Sequence, residues 1–86
     1  MTHRATPEFW EHYEQLPGHV RAKADQKFEL LKNDPSHPSL HFKKVTDELW
    51  SVRVSLDYRA LGTDINGTIV RFWIGHHADY DRILSR

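Results

Sequence analysis

The spacing of apolar residues changes once along this chain, and the change falls at a proline-rich segment. Before residue 34, apolar side chains recur every three or four positions, which is typical of an amphipathic helix. After residue 39 they alternate with polar side chains, as in a strand with one buried face. The segment between them, Asp34-Pro35-Ser36-His37-Pro38-Ser39, contains two prolines, which exclude a helix interior and a central strand. The pattern predicts an α+β domain, with the helices first and the sheet second.

Two helices are predicted before the proline-rich segment. Thr6 is a favoured N-cap residue and Pro7 suits the first helical position, so the first helix begins there. The second helix is predicted from His19 to Lys32, after the short break Leu16-Pro17-Gly18. The apolar positions of the two helices are Phe9, Trp10, Tyr13 and Leu16, then Val20, Ala24, Phe28 and Leu31. So short a connection predicts a helical hairpin.

Four strands and a closing helix are predicted after the proline-rich segment. The strands are Leu40–Val45, Leu49–Ser55, Tyr58–Gly62 and Thr68–Ile74. Asn66-Gly67 is a strong hairpin signal, because both residues tolerate a positive φ. Gly75 is expected to end the last strand, and His77–Leu84 is expected to form the helix. The predicted fold is an N-terminal helical hairpin packed on a twisted antiparallel sheet of about four strands with a short C-terminal helix, as a single domain over residues 1–86.

Composition excludes several classes of protein. The chain of 86 residues has no cysteine, which excludes disulfides and thiolate metal sites. Its apolar runs are too short for a membrane span, and we expect a cytoplasmic protein. Twelve Lys and Arg balance twelve Asp and Glu, so any contact with RNA must come from a local basic patch rather than from the net charge.

Three arginines stand on consecutive predicted strands: Arg53, Arg59 and Arg71. Side chains alternate across a sheet, so arginines of neighbouring strands converge if the registers agree. Converging guanidiniums suit a phosphate ligand, which one guanidinium can bind through two oxygens. The alternative is that they are ordinary surface arginines paired with nearby carboxylates.

The segment after the last strand carries an imidazole and a phenol, those of His77 and Tyr80. RNA can be cleaved without a metal or any other cofactor when its own 2′-hydroxyl attacks the neighbouring phosphate. Such a reaction needs a proton acceptor, a proton donor and cations, which histidine, tyrosine and arginine can supply. The alternative is structural: Tyr80 packs against the helical hairpin, and His77 caps the closing helix.

Two further groups of residues are candidates for binding a ligand, one for RNA and one for a metal ion. Lys43, Lys44 and Arg71 are candidate RNA-binding residues, although a lysine pair on a surface strand is usually just solvated. A metal site could use His76, His77 and Asp79, or His37 and His41. Neither spacing is a known structural metal motif, and we predict no metal.

The order of elements and four motifs resemble the RelE/ParE toxin family, over most of the chain from Leu16 to Asp81. The motifs are Asp34-Pro35-Ser36-His37-Pro38-Ser39-Leu40, Leu49-Trp50-Ser51-Val52-Arg53-Val54, Asp57-Tyr58-Arg59-Ala60-Leu61 and Phe72-Trp73-Ile74-Gly75-His76-His77-Ala78-Asp79-Tyr80-Asp81. Each motif is weak alone, and together they are specific through their order and gaps. The resemblance implies a helical hairpin against a twisted antiparallel sheet.

The resemblance also implies catalytic residues. In the RelE branch, a ribosome-dependent mRNA endonuclease uses an arginine of a Tyr-Arg pair on the third strand, where Arg59 stands. Arg53 matches a basic residue on the preceding strand, and His77 and Tyr80 match a basic residue and a tyrosine after the last strand. By this likeness the arginines stabilise the transition state, His77 transfers a proton, and Tyr80 stacks on a base or orients it. The sequence departs from the RelE pattern at Ser51, where the best-known members carry a lysine.

Three functions are compatible with the resemblance. The first is an mRNA interferase acting on the ribosome, the second is a ParE-like toxin that inhibits DNA gyrase without catalysis, and the third is an inactive relative that only binds its antitoxin. All three imply a small antitoxin partner with a disordered segment that folds on binding. We expect the first, because basic side chains and an imidazole gathered at one end of a sheet indicate a catalytic site.

Overall fold

The computed structural model describes residues 2–85, which form three α-helices and five strands. The elements are β1 (Thr2–Ala5), α1 (Pro7–Glu14), α2 (Gly18–Asn33), β2 (Lys43–Lys44), β3 (Leu49–Arg53), β4 (Tyr58–Ile65), β5 (Thr68–His76) and α3 (His77–Leu84), with a 3₁₀ turn at Pro38–Leu40 before β2. The predicted α+β fold is confirmed. None of the helices in this part of the chain has the length and hydropathy of a membrane-spanning helix.

The predicted helix boundaries follow from local chemistry. The Thr6 hydroxyl accepts a hydrogen bond from the Phe9 amide, and Pro7 occupies the first turn of α1. The second helix begins at Gly18, with Pro17 at its N-cap. The third helix begins at His77 and ends at Leu84, as predicted from the sequence.

The sheet has the order β1-β5-β4-β3-β2, with one strand that the sequence analysis did not predict. Strand β1 pairs in parallel with β5, and all other pairs are antiparallel. Its four residues, Thr-His-Arg-Ala, have no apolar alternation to indicate a strand. Because β1 covers the outer side of β5, β5 is an interior strand and the sheet is mixed.

Each of the four predicted strands has at least one wrong limit, and β3 ends at Arg53 rather than at Ser55. Gly75 does not end β5, which continues to His76, and β4 continues past Gly62 to Ile65. Only two residues of the predicted strand Leu40–Val45 pair with β3, at the edge of the sheet, because Leu40 belongs to the preceding 3₁₀ turn.

Helices α1 and α2 pack on one face of the sheet. The core formed there comprises Phe9, Leu16, Val20, Ala24, Phe28, Leu31, Leu40, Val52, Val54, Ala60 and Ile74. Of the predicted apolar stripe of α1, Phe9 and Leu16 are buried, Tyr13 is half-buried, and Trp10 is exposed. We call the side of the sheet that bears Val52 and Ala60 the helix-packed face, and the other side the opposite face.

His3 of β1 is a titratable group held inside this fold. Partial burial lowers the pKa of its imidazole below the ordinary value of 6.5, and the positive charge of Arg71 lowers it further. The ring nitrogen Nδ1 is buried without a hydrogen-bond partner, which also disfavours an additional charge. The folded chain therefore holds His3 neutral at a pH where the unfolded chain binds a proton.

This difference predicts a pH dependence of stability. The pKa of His3 is lower in the folded chain than in the unfolded chain, so the unfolded chain binds a proton first as the pH falls. The free energy of unfolding is therefore highest above about pH 6.5 and decreases as the pH falls towards the folded pKa. We expect His3→Gln to reduce the loss of unfolding free energy between about pH 7.5 and 5.5, measured by urea denaturation. His19→Gln, at an exposed histidine, is the control. An unchanged pH dependence in the His3 variant would contradict the burial of this imidazole.

Candidate functional site

Arg53 and Arg59 lie directly opposite each other on β3 and β4. Directly paired residues share a face of the sheet, and this face is not the one that carries Val52 and Ala60. Both side chains are half-buried. The register therefore brings the first two predicted catalytic residues together on the opposite face of the sheet.

The guanidinium of Arg59 is held by the turn between β3 and β4. Its Nη1 donates to the carbonyl oxygens of Ser55 at 2.6 Å, Tyr58 at 3.0 Å and Leu56 at 3.1 Å. These bonds all use one nitrogen, and an arginine side chain has five N–H donors on three nitrogens. The turn can thus fix the group while Nη2 and Nε stay available to an anion.

His77 lies beside the same turn. Its backbone amide donates to the Asp57 carbonyl oxygen at 2.7 Å, which ties the start of α3 to the β3–β4 turn. Two carboxylates flank its imidazole: Asp57 Oδ1 is 4.0 Å from Nε2, and Asp81 Oδ2 is 3.8 Å from Nδ1. The imidazole of His77 thus lies between two carboxylates. Sequence reasoning missed Asp57 as a partner of His77, because only the turn brings the two together.

Tyr80 stands one helical turn after His77. Residues three positions apart are neighbours on a helix surface, so the phenol and the imidazole share one side of α3. His77, Tyr80, Ile83 and Leu84 are all half-buried and follow the same helical period, and α3 contacts β4 and β5. This side of α3 therefore faces the protein. His76, and not His77, caps the helix, since its Nδ1 accepts from the Ala78 amide.

The two predicted RNA-binding lysines lie on different faces of the sheet. Lys43 pairs with Ser51, which shares the opposite face with Arg53, whereas Lys44 pairs with Trp50 and lies on the helix-packed face. Both lysines are exposed on the edge strand β2. The pairing brings Lys43, but not Lys44, to the face that carries the two arginines.

Arg71 is not part of this group, because a bulge in β5 turns it away. Leu61 pairs with Trp73 but Gly62 pairs with Arg71, so Phe72 is an extra residue in β5. Without the extra residue, strict alternation would place Arg71 on the face of Arg59. With it, Arg71 lies on the helix-packed face and is only 7% exposed. The prediction that Arg71 binds RNA is corrected accordingly.

The buried guanidinium of Arg71 packs on aromatic rings. Its Cζ lies 4.1 Å from the centroid of the Phe28 ring and 5.3 Å from that of Phe9. Burial lowers the pKa of this side chain, and its Nε and Nη1 have no hydrogen-bond partner. Arg71 therefore acts as a core residue that links β5 to α1 and α2.

A core role for Arg71 predicts the effect of two substitutions. Arg71→Ala should lower the free energy of unfolding by about 2–4 kcal/mol, because it leaves a cavity against Phe28. Arg71→Met should change it by less than about 1.5 kcal/mol, because methionine fills a similar volume without a buried charge. Urea denaturation measures both. Equal losses from the two variants would show that the charge, rather than the packing, is what matters.

One group among residues 2–85 could hold a metal ion: Asp57, His76 and His77, whose ligand atoms lie within 4.8 Å of one another. Ligand atoms around a tetrahedral Zn²⁺ are about 3.4 Å apart, given bonds of about 2.0–2.1 Å, so side chains would have to move. The group differs from the sequence candidates, since Asp79 pairs with Arg82 and His37 Nδ1 accepts from the Ser39 amide.

A family model described as a ParE-like toxin domain matches residues 18–82 of this chain. That range begins at α2 and ends within α3, so it includes all four predicted catalytic residues. No curated protein sequence matches the chain with statistical significance.

Solved structures of toxins share the fold. The RelB-RelE antitoxin-toxin complex from Methanococcus jannaschii contains a similar chain, with 22% identity and a TM-score of 0.72, and the match covers 92% of this chain and 96% of that one. YafQ from E. coli strain BL21(DE3) has 12% identity and a TM-score of 0.72, over 91% and 94% of the two chains. Isolated E. coli RelE has 13% identity and a TM-score of 0.63, over 95% and 97%.

Proposed function

The chain belongs to the ParE-like toxin domain family, within the RelE/ParE superfamily of toxins from toxin–antitoxin systems, and we propose that it is a ribosome-dependent mRNA endonuclease. One observation carries the proposal: Arg53 and Arg59 are direct cross-strand partners on the face that α1 and α2 leave free, and the start of α3 is tied to the adjacent turn. Cations, an imidazole and a phenol at one end of a sheet are the groups that RNA self-cleavage requires.

The reaction we propose uses only groups of the RNA and of this chain. The 2′-hydroxyl oxygen attacks the adjacent phosphorus, the bond from phosphorus to the 5′-oxygen breaks, and the products are a 2′,3′-cyclic phosphate and a 5′-hydroxyl. His77 takes the proton from the 2′-hydroxyl and passes it on to the leaving 5′-oxygen. Arg59 and Arg53 donate to the equatorial oxygens, where negative charge accumulates in the transition state.

The remaining residues orient the RNA in this proposal. Tyr80 shares one side of α3 with His77, so its ring can stack on a base beside the scissile phosphate. Lys43 stands opposite Ser51, the position at which the chain departs from the RelE pattern. A cation from the edge strand can thus replace the missing lysine on the same face. Lys44 lies on the helix-packed face, so in this proposal it contacts RNA away from the two arginines.

Substitutions at the site give the central test. Arg59→Ala and His77→Gln should each reduce transcript cleavage in a reconstituted translation reaction by about 10²–10³-fold, through loss of charge stabilisation and of proton transfer. Tyr80→Phe should retain more activity than Tyr80→Ala if stacking is its role. Arg4→Ala, at an exposed arginine of the edge strand β1, is the control. Full cleavage and full toxicity of Arg59→Ala would refute the proposal.

A gyrase inhibitor is the second candidate, and two observations favour it. The matching family model is described as ParE-like, and the net charge of the chain is zero at pH 7, which does not favour binding to ribosomal RNA. Measuring DNA supercoiling beside mRNA cleavage separates the two functions. Loss of DNA supercoiling by gyrase with intact transcripts would identify the chain as a gyrase inhibitor. If neither supercoiling nor the transcripts were affected, the chain would be an inactive relative that only binds its antitoxin.

We also propose that an antitoxin covers this chain. Structures of similar toxins are complexes with antitoxins, among them RelB-RelE from Methanococcus jannaschii and RelBE2 from Mycobacterium tuberculosis. Large apolar side chains are available for such a contact, since Leu56 is 71% exposed at the β3–β4 turn and Ile65 and Trp10 are about half exposed. Leu56→Ser should weaken co-purification with the protein encoded beside this chain, and unchanged capture would place the interface elsewhere.

A further inference from the structure

A pocket of about 280 Å³ lies between α2 and the segment that runs from the end of β3 into the β3–β4 turn. Four basic residues and two serines are among the residues that line it, which are Lys23, Lys27, Ser39, His41, Arg53, Val54, Ser55 and Leu56. The volume is near the lower end of the roughly 300–1,000 Å³ that is usual for ligand pockets. Three of these residues belong to the site described above: Arg53, and Ser55 and Leu56, whose carbonyl oxygens hold Arg59.

The positive charges of this pocket are not neutralised by the protein. No carboxylate lines it, and within residues 2–85 neither Lys23, Lys27 nor Arg53 forms an ion pair. Within the described part of the chain, the only polar contact of Lys23 and Lys27 is a hydrogen bond from Lys27 Nζ to Ser39 Oγ at 3.0 Å. In a chain with equal numbers of acidic and basic residues, this concentration of unpaired cations is a local departure from balance.

Placing these charges together is unfavourable for the free protein. Lys23 and Lys27 are four residues apart on α2, and like charges at that spacing destabilise a helix. His41 adds its side chain from a residue with φ of 43°, a left-handed conformation that few residues other than glycine adopt. An anion in the pocket would remove the repulsion and would accept hydrogen bonds from the lysines, the guanidinium and the serines.

We propose that this pocket binds a backbone phosphate of the RNA strand, next to the phosphate that is cleaved. The inference rests on the proposed nuclease function and adds a second phosphate subsite to it. Arg53 lines the pocket and is also the cross-strand partner of Arg59, so one continuous strand can contact both places. Lys23, Lys27 and His41 then set the position of the strand, and Arg59 and His77 act on the bond.

Binding of an RNA that cannot be cleaved tests this subsite apart from catalysis. The probe is a fluorescein-labelled hexanucleotide with 2′-O-methyl groups throughout, titrated by anisotropy at several NaCl concentrations. We expect the double variant Lys23→Gln/Lys27→Gln to bind roughly tenfold more weakly at low salt. The slope of log affinity against log salt should also become less steep by about 0.7 for one lost phosphate contact. The charge-preserving variant Lys23→Arg/Lys27→Arg should keep the slope.

The control variant lies on the same helix. Lys32→Gln removes an exposed charge that is paired with Glu29 and lies outside the pocket, and its salt slope should match that of the unmodified chain. Thermal unfolding of each variant checks that α2 remains folded. An unchanged affinity and slope in the double variant would overturn the subsite.

Two further outcomes separate this inference from other readings. If the double variant binds the RNA normally but loses affinity for an acidic polyglutamate peptide, the pocket recognises protein carboxylates and the proposal is wrong. If the double variant weakens RNA binding while the unmodified chain cleaves no transcript, the phosphate subsite stands and the nuclease function fails. Full cleavage by Arg59→Ala also refutes only the nuclease function.

Discussion

The register between β3 and β4 is the constraint on which the candidate site depends. It places Arg53 opposite Arg59, and a slip of one residue would move one of them to the helix-packed face. The register is strongly specified, because Val52 and Ala60 also face each other and must both enter the core. The burial of two small apolar side chains thus decides that two guanidiniums meet on the other side of the same strands.

The helical hairpin determines which face remains free. Phe9 of α1 and Phe28 of α2 pack against one side of the sheet, and their contact with the Arg71 guanidinium ties that side to β5. The cost of burying this charge is offset only in part by the aromatic rings, since two of its nitrogens lack partners. The hydrophobic core and the candidate site therefore lie on opposite faces of the same strands. Helix α3 is joined to the site by the hydrogen bond to the Asp57 carbonyl oxygen.

The charges of this chain are distributed unevenly, although its net charge is zero. Net charge averages over the whole surface, whereas a phosphate responds to the groups within a few ångströms of it. The pocket at Lys23, Lys27 and Arg53 has no carboxylate in its lining. Carboxylates are instead concentrated beside His77, where Asp57 and Asp81 lie about 4 Å from the ring. In the function that we propose, the first region holds phosphate and the second transfers a proton.

Local sequence determined the helices and the hairpin at Asn66-Gly67, because capping and turn formation act over a few residues. Alternation limited Arg53 and Arg59 to one of two faces each, and the pairing of β3 with β4 decided that they share one. It could not determine the place of Arg71, since the bulge at Phe72 depends on how β4 and β5 pair. Nor could it give β1, whose pairing comes from β5 at the far end of the chain, or the approach of Lys23 and Lys27 to Arg53. Those contacts join residues far apart in sequence, which come together only in the tertiary structure.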